Sequence, residues 1–128
     1  MRRAPAEYQT ILAGVRGDLG FPKERKPLLI GVDGVDGAGK SSFASWLAWQ
    51  LEMPTVHLDL YVVQDSQPII WRFGDLHRAL EARLQAHQKP VICEGILLLA
   101  ALRHIGCRPD VLVYVEQAGQ EGSMLLQV

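Results

Sequence analysis

The stretch Gly34-Val-Asp-Gly-Ala-Gly39-Lys40-Ser41 decides how the rest of this sequence is interpreted. It satisfies the pattern G-x-x-x-x-G-K-[S/T], whose glycines let backbone N–H groups turn inward around a phosphate with no Cβ in the way. An apolar run over 27–32 precedes it, and a helical pattern follows from Lys40 to about Leu51. The positive N-terminal end of that helix would face the same phosphate. Strand, loop and helix together indicate a phosphate-binding loop.

The residues of this loop have separate expected roles. Lys40 adds a positive charge toward the outer phosphates of a nucleotide and is a candidate catalytic residue, and the Ser41 hydroxyl can ligate a magnesium ion. Asp36 is expected to shape the turn rather than to touch a polyanion. The predicted nucleotide-binding residues are Gly34, Val35, Asp36, Gly37, Ala38, Gly39, Lys40, Ser41 and Ser42.

The rest of the chain alternates short apolar runs with helical patterns. Apolar runs predict strands over 27–32, 55–58, 90–93 and 110–115. Runs without polar alternation are typical of parallel strands that are buried on both faces. Strand–helix alternation at this spacing predicts an α/β fold with a parallel sheet.

Helices are predicted before and between these strands. A stripe of apolar residues predicts a helix over 5–19, and leucines at four-residue spacing predict another that Asp75 would cap. A short helix is expected over 96–105, and residues 61–73 have no clear period and are interpreted as a loop.

Length and composition restrict the class of protein. A chain of 128 residues corresponds to one domain at roughly 150 residues per domain. A net charge of −1 argues against a nucleic-acid-binding surface, and 48% hydrophobic residues are typical of a globular chain. The longest apolar run, 96–102, is far shorter than the roughly 20 residues of a membrane helix. Cys93 and Cys107 match no metal-ligand spacing, so we expect reduced thiols and a cytoplasmic protein. From the net charge and the short apolar runs we expect neither nucleic acid nor a membrane as a partner.

Three acidic residues follow predicted strands: Asp33, Asp59 and Glu94. In open parallel sheets the ligand lies beyond the carboxyl ends of the strands. Asp59 could accept the proton of an acceptor hydroxyl, and Glu94 could hold Mg²⁺ directly or through water. The alternative for each is a solvated carboxylate or a helix cap, and for Asp33 neither interpretation is favoured. His57 is interpreted as a packed or hydrogen-bonded strand histidine.

Three segments resemble the uridine kinase and phosphoribulokinase-like branch of P-loop kinases. They are Ile30-Gly-Val-Asp-Gly-Val-Asp-Gly-Ala-Gly-Lys-Ser-Ser-Phe-Ala44, His57-Leu-Asp-Leu-Tyr61 and Val91-Ile-Cys-Glu-Gly-Ile-Leu-Leu-Leu99. The resemblance implies a three-layer P-loop NTPase fold with a short parallel sheet of four or five strands flanked by helices. It also implies Asp59 as catalytic base, Glu94 as a magnesium-linked carboxylate, and transfer of the ATP γ-phosphoryl to a small-molecule hydroxyl, most directly that of a nucleoside such as uridine.

The sequence departs from that family after the fourth predicted strand. Family members continue with an arginine-rich lid helix and a fifth strand, whereas the last arginine here is Arg108. We therefore interpret 1–128 as a single kinase-like domain, apparently truncated at its C-terminus, with an N-terminal helical extension over 1–26 and a short tail over 117–128. Two functions stay open: an active kinase, and a nucleotide-binding module without turnover.

The short tail also bears on how the sheet ends. The resemblance implies the strand order 2-3-1-4-5, and without a fifth strand the apolar fourth one is an exposed edge. Residues 124–128 could cover that edge, but residues 117–123 are too few for a parallel crossover of about a dozen residues. We expect either antiparallel pairing of the tail with this strand or pairing with another subunit, which would give a homo-oligomer.

Overall fold

The computed structural model describes residues 6–34, 39–115 and 124–127. The helices are α1 (Ala6–Leu19), α2 (Lys40–Leu51), α3 (Phe73–Glu81) and α4 (Leu98–His104). The strands are β1 (Leu29–Gly34), β2 (Thr55–His57), β3 (Val91–Glu94), β4 (Val111–Val115) and β5 (Met124–Gln127). Short 3-10 turns span Pro22–Glu24 and Leu58–Tyr61, and one π-helical turn, Ala82–Ala86, extends α3.

The strands form one sheet in the order β2-β3-β1-β4-β5. The first four strands are parallel, and β5 pairs antiparallel with β4 from Val115↔Met124 to Leu112↔Gln127. The implied strand order is therefore confirmed. Antiparallel pairing of the tail is what the structure shows for residues 124–127, while pairing with another subunit stays a prediction.

Helices cover both faces of this sheet, so the chain has the three-layer α/β fold expected from the sequence. Ile30, Val32 and Ile92 point to the face that α1 and α2 cover, where the Tyr8 and Phe43 rings meet edge to face with centroids 4.8 Å apart. The alternate strand residues point to the other face, which α3 and α4 cover; they include Leu29, Val91 and Cys93. Alternating side chains of each strand are thus buried on opposite faces, which explains why β1 and β3 are apolar up to the acidic residues near their carboxyl ends.

The expected end of β2 and the expected start of α3 are both wrong. β2 ends at His57, and Asp59 lies in the 3-10 turn that follows it. Asp75 lies inside the first turn of α3, because Arg72 is the N-cap and its carbonyl accepts the first helical hydrogen bond, from the N–H of Leu76. Asp75 instead accepts hydrogen bonds from the guanidinium groups of Arg72 and Arg78, and a carboxylate in the first turn also interacts favourably with the helix dipole.

Helix α4 begins two residues later than the apolar run suggests. Leu97 has a φ of +52°, in the left-handed region, which keeps residues 96 and 97 outside the helix. The backbone N–H of Leu98 then donates to Asp33 Oδ1 at 3.4 Å. In the described part of the chain, no helix combines the length and the apolarity needed to cross a membrane.

Gly95 lets the turn after β3 pack closely on the turn after β2. A Cβ at Gly95 would lie 2.6 Å from the Cβ of Leu58 and 2.9 Å from its Cγ. Leu58 is buried in the core beneath α3 and α4, so its Cβ has little freedom to move away. Because Leu58 immediately precedes Asp59, this contact also determines where Asp59 lies.

Replacing Gly95 with alanine is expected to lower the free energy of unfolding by about 1–3 kcal/mol, because the added methyl group overpacks against Leu58. The matched control is Gly17→Ala in α1, where a Cβ would meet nothing within 4 Å. That exposed helical position should gain about 0.5–1 kcal/mol. Urea unfolding of both variants tests the sign, and a neutral or stabilising Gly95→Ala would contradict the packing argument.

Candidate active site

The phosphate-binding loop joins the carboxyl end of β1 to the first turn of α2. β1 ends at Gly34, and Gly39 adopts a left-handed φ of +91° as the N-cap of α2. A Cβ at Gly34 would lie 2.3 Å from the carbonyl oxygen of Val115, so only glycine allows β1 and β4 to run this close. The predicted residues Val35, Asp36, Gly37 and Ala38 lie outside the described residues.

The first turn of α2 presents the polar residues that the motif predicts. Lys40 is 7% exposed, whereas Ser41 and Ser42 are exposed. The Ser41 hydroxyl donates a hydrogen bond to Glu94 Oε1 at 3.2 Å, which connects the start of α2 to the end of β3. This links two of the three segments that the sequence singled out.

Glu94 is the most buried acidic side chain of the site. It is 2% exposed at the last position of β3, and its Oε1 also lies 2.6 Å from Nδ1 of His57. In this pair the ring N–H donates and the carboxylate accepts. Burial of a carboxylate is costly unless hydrogen bonds compensate, and His57 and Ser41 supply two of them.

His57 is the site residue whose position sequence reasoning underestimated. The expectation of a hydrogen-bonded strand histidine is confirmed, but its partner is a predicted site residue. His57 and Glu94 are register partners, each at the last position of adjacent parallel strands. The implied strand order would have placed these two strand ends side by side, so the order was the signal that could have revealed this contact.

Asp59 comes to the same place from the turn after β2. One ligand atom from each of His57, Asp59 and Glu94 lies within 4.8 Å of the others. Asp59 is exposed, so a substrate can reach it, whereas Glu94 is enclosed. The structure therefore brings Lys40, Ser41, Asp59 and Glu94 together at the carboxyl edge of the sheet.

Asp33 accepts hydrogen bonds from the backbone of two neighbouring segments. Its Oδ1 accepts hydrogen bonds from the N–H of Gly34 at 2.8 Å and from that of Leu98 at 3.4 Å. It thereby connects the end of β1 to the start of α4.

Cys93 stays a neutral thiol beside the site. Burial, with a smaller contribution from the neighbouring Glu94 carboxylate, raises the pKa of this thiol to about 12. The side chain points into the core on the α3 and α4 face, so it behaves as a small apolar residue.

A cavity of about 230 Å³ opens between these elements. Its polar lining residues are Lys40, Ser41, Asp59 and Glu94. Its apolar lining residues are Leu58, Val62, Ile69, Trp71 and Ile96, with Gly95 between the two sets. Most of the apolar wall comes from the segment 61–72, which folds back on itself through a bridge between Val62 and Trp71 and a hydrogen bond from Val63 N to the Ile70 carbonyl. We call this segment the 61–72 loop.

Comparison with solved structures supports the fold. The chain is similar to a structure described as "Structure of a Possible Uridine Kinase from Bacillus stearothermophilus", with a TM-score of 0.65 and 16% sequence identity. The match covers 90% of this chain and 82% of that one. No protein-family model and no curated protein sequence matches the chain. The similarity thus shows a shared kinase-like fold.

Replacing His57 with leucine is expected to lower the free energy of unfolding by roughly 1–3 kcal/mol, because buried Glu94 loses a charge-assisted hydrogen bond. His77→Leu is the matched control, since His77 lies 3.7 Å from Glu81 in an exposed pair on α3. Exposed pairs of this kind contribute about 0.3–0.5 kcal/mol. Chemical denaturation of the two variants should separate these values, and equal losses would mean that the His57–Glu94 contact adds nothing.

Proposed function

We propose that this protein binds ATP with Mg²⁺ and transfers the γ-phosphoryl group to a hydroxyl of a small molecule. The observation that carries the proposal is the convergence of Lys40, Ser41, Asp59 and Glu94 on one cavity beyond the carboxyl ends of β1, β2 and β3. Ligands of open parallel sheets bind at this edge. The kinase-like fold of the structural neighbour supports the same proposal.

The donor set suits a hard divalent cation. The Ser41 hydroxyl and the Glu94 carboxylate are oxygen ligands, the type that Mg²⁺ prefers. Ser41 can bind the cation through its oxygen lone pairs and still donate its proton to Glu94 Oε1, 3.2 Å away. A bound Mg²⁺ would neutralise charge on the β- and γ-phosphates.

The protein's own residues would carry the remaining steps. Lys40, at the first position of α2, would attract the outer phosphates toward the backbone N–H groups of the loop. The acceptor oxygen would form a bond to the γ-phosphorus as the bond to the β–γ bridging oxygen breaks, which leaves ADP. Asp59 would orient the acceptor hydroxyl and take its proton. Exposure of Asp59 and burial of Glu94 suit these separate roles.

The sequence resemblance implies a nucleoside such as uridine as the acceptor, and the description of the structural neighbour makes uridine a rational first compound to test. A cytoplasmic location is part of the same proposal and is supported by the free thiols of Cys93 and Cys107. A nucleotide-binding module without turnover would share the loop and Lys40 but would not use Asp59 as a base.

Substitution of Asp59 by asparagine is expected to lower kcat by about 10²- to 10⁴-fold, the usual contribution of a positioned general base. ATP affinity should stay nearly unchanged, because Asp59 is assigned to the acceptor. The matched control is Asp65→Asn, an exposed aspartate of the 61–72 loop that does not line the cavity. ADP release from Mg-ATP is measured with uridine, cytidine, pantothenate and simple alcohols as acceptors.

The Lys40→Ala variant completes this experiment, because it should lose both ATP binding and acceptor-dependent ADP release. Acceptor-dependent release by the wild type that Asp59→Asn abolishes would support a kinase. If the folded wild type binds ATP and no acceptor stimulates release, the nucleotide-binding module is the better description.

A further inference from the structure

The cavity has two chemically different parts. Its polar residues are connected to one another: Ser41 donates to Glu94, and Asp59 and Glu94 each offer an oxygen within the same 4.8 Å cluster. Under the proposed function these groups are occupied by phosphate, cation and the reacting hydroxyl. The body of the acceptor must therefore rest against the other part of the wall.

That other part is apolar. It consists of Leu58, Val62, Ile69, Trp71 and Ile96. These five side chains offer a single conventional hydrogen-bond donor, the indole N–H of Trp71, and no side-chain acceptor. A uracil ring presents two carbonyl oxygens and an N–H on its edge, so the side chains of this wall could pair with only one of these three groups.

The apolar character continues beyond the cavity. Ile69 and Ile70 are 40% and 46% exposed, and Leu60 and Val63 of the same region are also exposed large hydrophobic residues. Leu97, next to the cavity residue Ile96, is 57% exposed. Its backbone also has a left-handed φ of +52°, a conformation that favours glycine or asparagine over leucine. Exposed apolar residues grouped around a pocket are typical of a ligand-binding surface.

The size of the cavity restricts the acceptor further. Its volume of about 230 Å³ includes the part beside Lys40 and Ser41. Pockets for drug-sized ligands enclose about 300–1,000 Å³. The space left for the acceptor body is therefore that of a small group.

From these observations we infer that the phosphoryl acceptor is a small alcohol with an apolar body, its hydroxyl at Asp59 and its body against Val62, Ile69, Trp71 and Ile96. The inference rests on the proposed function and changes the acceptor from a nucleoside to an apolar alcohol. Such a body needs no hydrogen-bonding partner in the wall, and its burial is favourable in proportion to the apolar area removed from water.

Binding can be tested separately from turnover. The wild-type protein is saturated with Mg²⁺ and a non-hydrolysable ATP analogue, and dissociation constants for 2-phenylethanol and uridine are measured by ligand-observed NMR. Both probes carry a primary hydroxyl. We expect 2-phenylethanol to bind saturably and at least tenfold more tightly than uridine. Tighter binding of uridine, or no saturable binding of 2-phenylethanol, would overturn the inference.

A pair of variants at exposed apolar residues locates the binding surface. Ile69→Asn places an amide in the cavity wall and should weaken 2-phenylethanol binding about tenfold, because most of one apolar side-chain contact is lost. Leu99→Asn changes an exposed apolar residue of α4 that does not line the cavity, and the dissociation constant of that variant should stay within twofold of the wild type. Equal effects of the two substitutions would refute the assignment.

ADP release with the same probes keeps the two proposals distinct. Binding of 2-phenylethanol that depends on Ile69, with ADP release stimulated by neither probe, would support the apolar pocket but refute phosphoryl transfer to its occupant. Uridine-dependent ADP release without binding of the alcohol would support the kinase and refute the apolar acceptor.

Discussion

The buried carboxylate of Glu94 is the constraint on which the rest of the site depends. A carboxylate that is 2% exposed requires hydrogen-bond donors close by, and here they come from two other elements, Ser41 at the start of α2 and His57 at the end of β2. The hydrogen bonds to this one carboxylate thus fix the positions of α2 and β2 relative to β3. Removing either donor would affect the fold and the geometry of the site together, so stability and function are coupled at this point.

Backbone proximity supplies the second constraint. Gly34 allows β1 to lie against the carbonyl of Val115, and Gly95 allows the turn after β3 to lie against Leu58. Neither close approach is compatible with a Cβ on the glycine. A Cβ at Gly34 would meet the backbone of Val115, and a Cβ at Gly95 would meet the Cβ and Cγ of the buried Leu58 side chain. The glycines beside the site therefore position the catalytic candidates by permitting close packing as well as by permitting an unusual φ.

The sequence predicted the parts of the fold that depend on local pattern. The phosphate-binding motif, the apolar strands and the helical stripe of α1 each lie within one segment, and the strand order followed from the family resemblance. It did not predict the His57–Glu94 contact, because the two residues are 37 positions apart and meet only through strand register. It misplaced the start of α3 because Asp75 suits a cap by type, whereas the hydrogen bond from Leu76 to the Arg72 carbonyl sets the boundary.

The division of the cavity follows from how its two parts are built. The polar residues stand at the ends of β3 and α2 and in the turn after β2, so the central sheet holds them at fixed separations. Most of the apolar wall belongs to the 61–72 loop, whose backbone is joined across by the Val62–Trp71 bridge and few other hydrogen bonds. Loops tolerate sequence change more readily than the elements that they connect. Under the proposed function, a fold of this kind can keep its phosphoryl chemistry while the loop changes the acceptor. A structural neighbour with 16% identity shares the fold but does not determine the acceptor, so the lining of this cavity is the better guide to it.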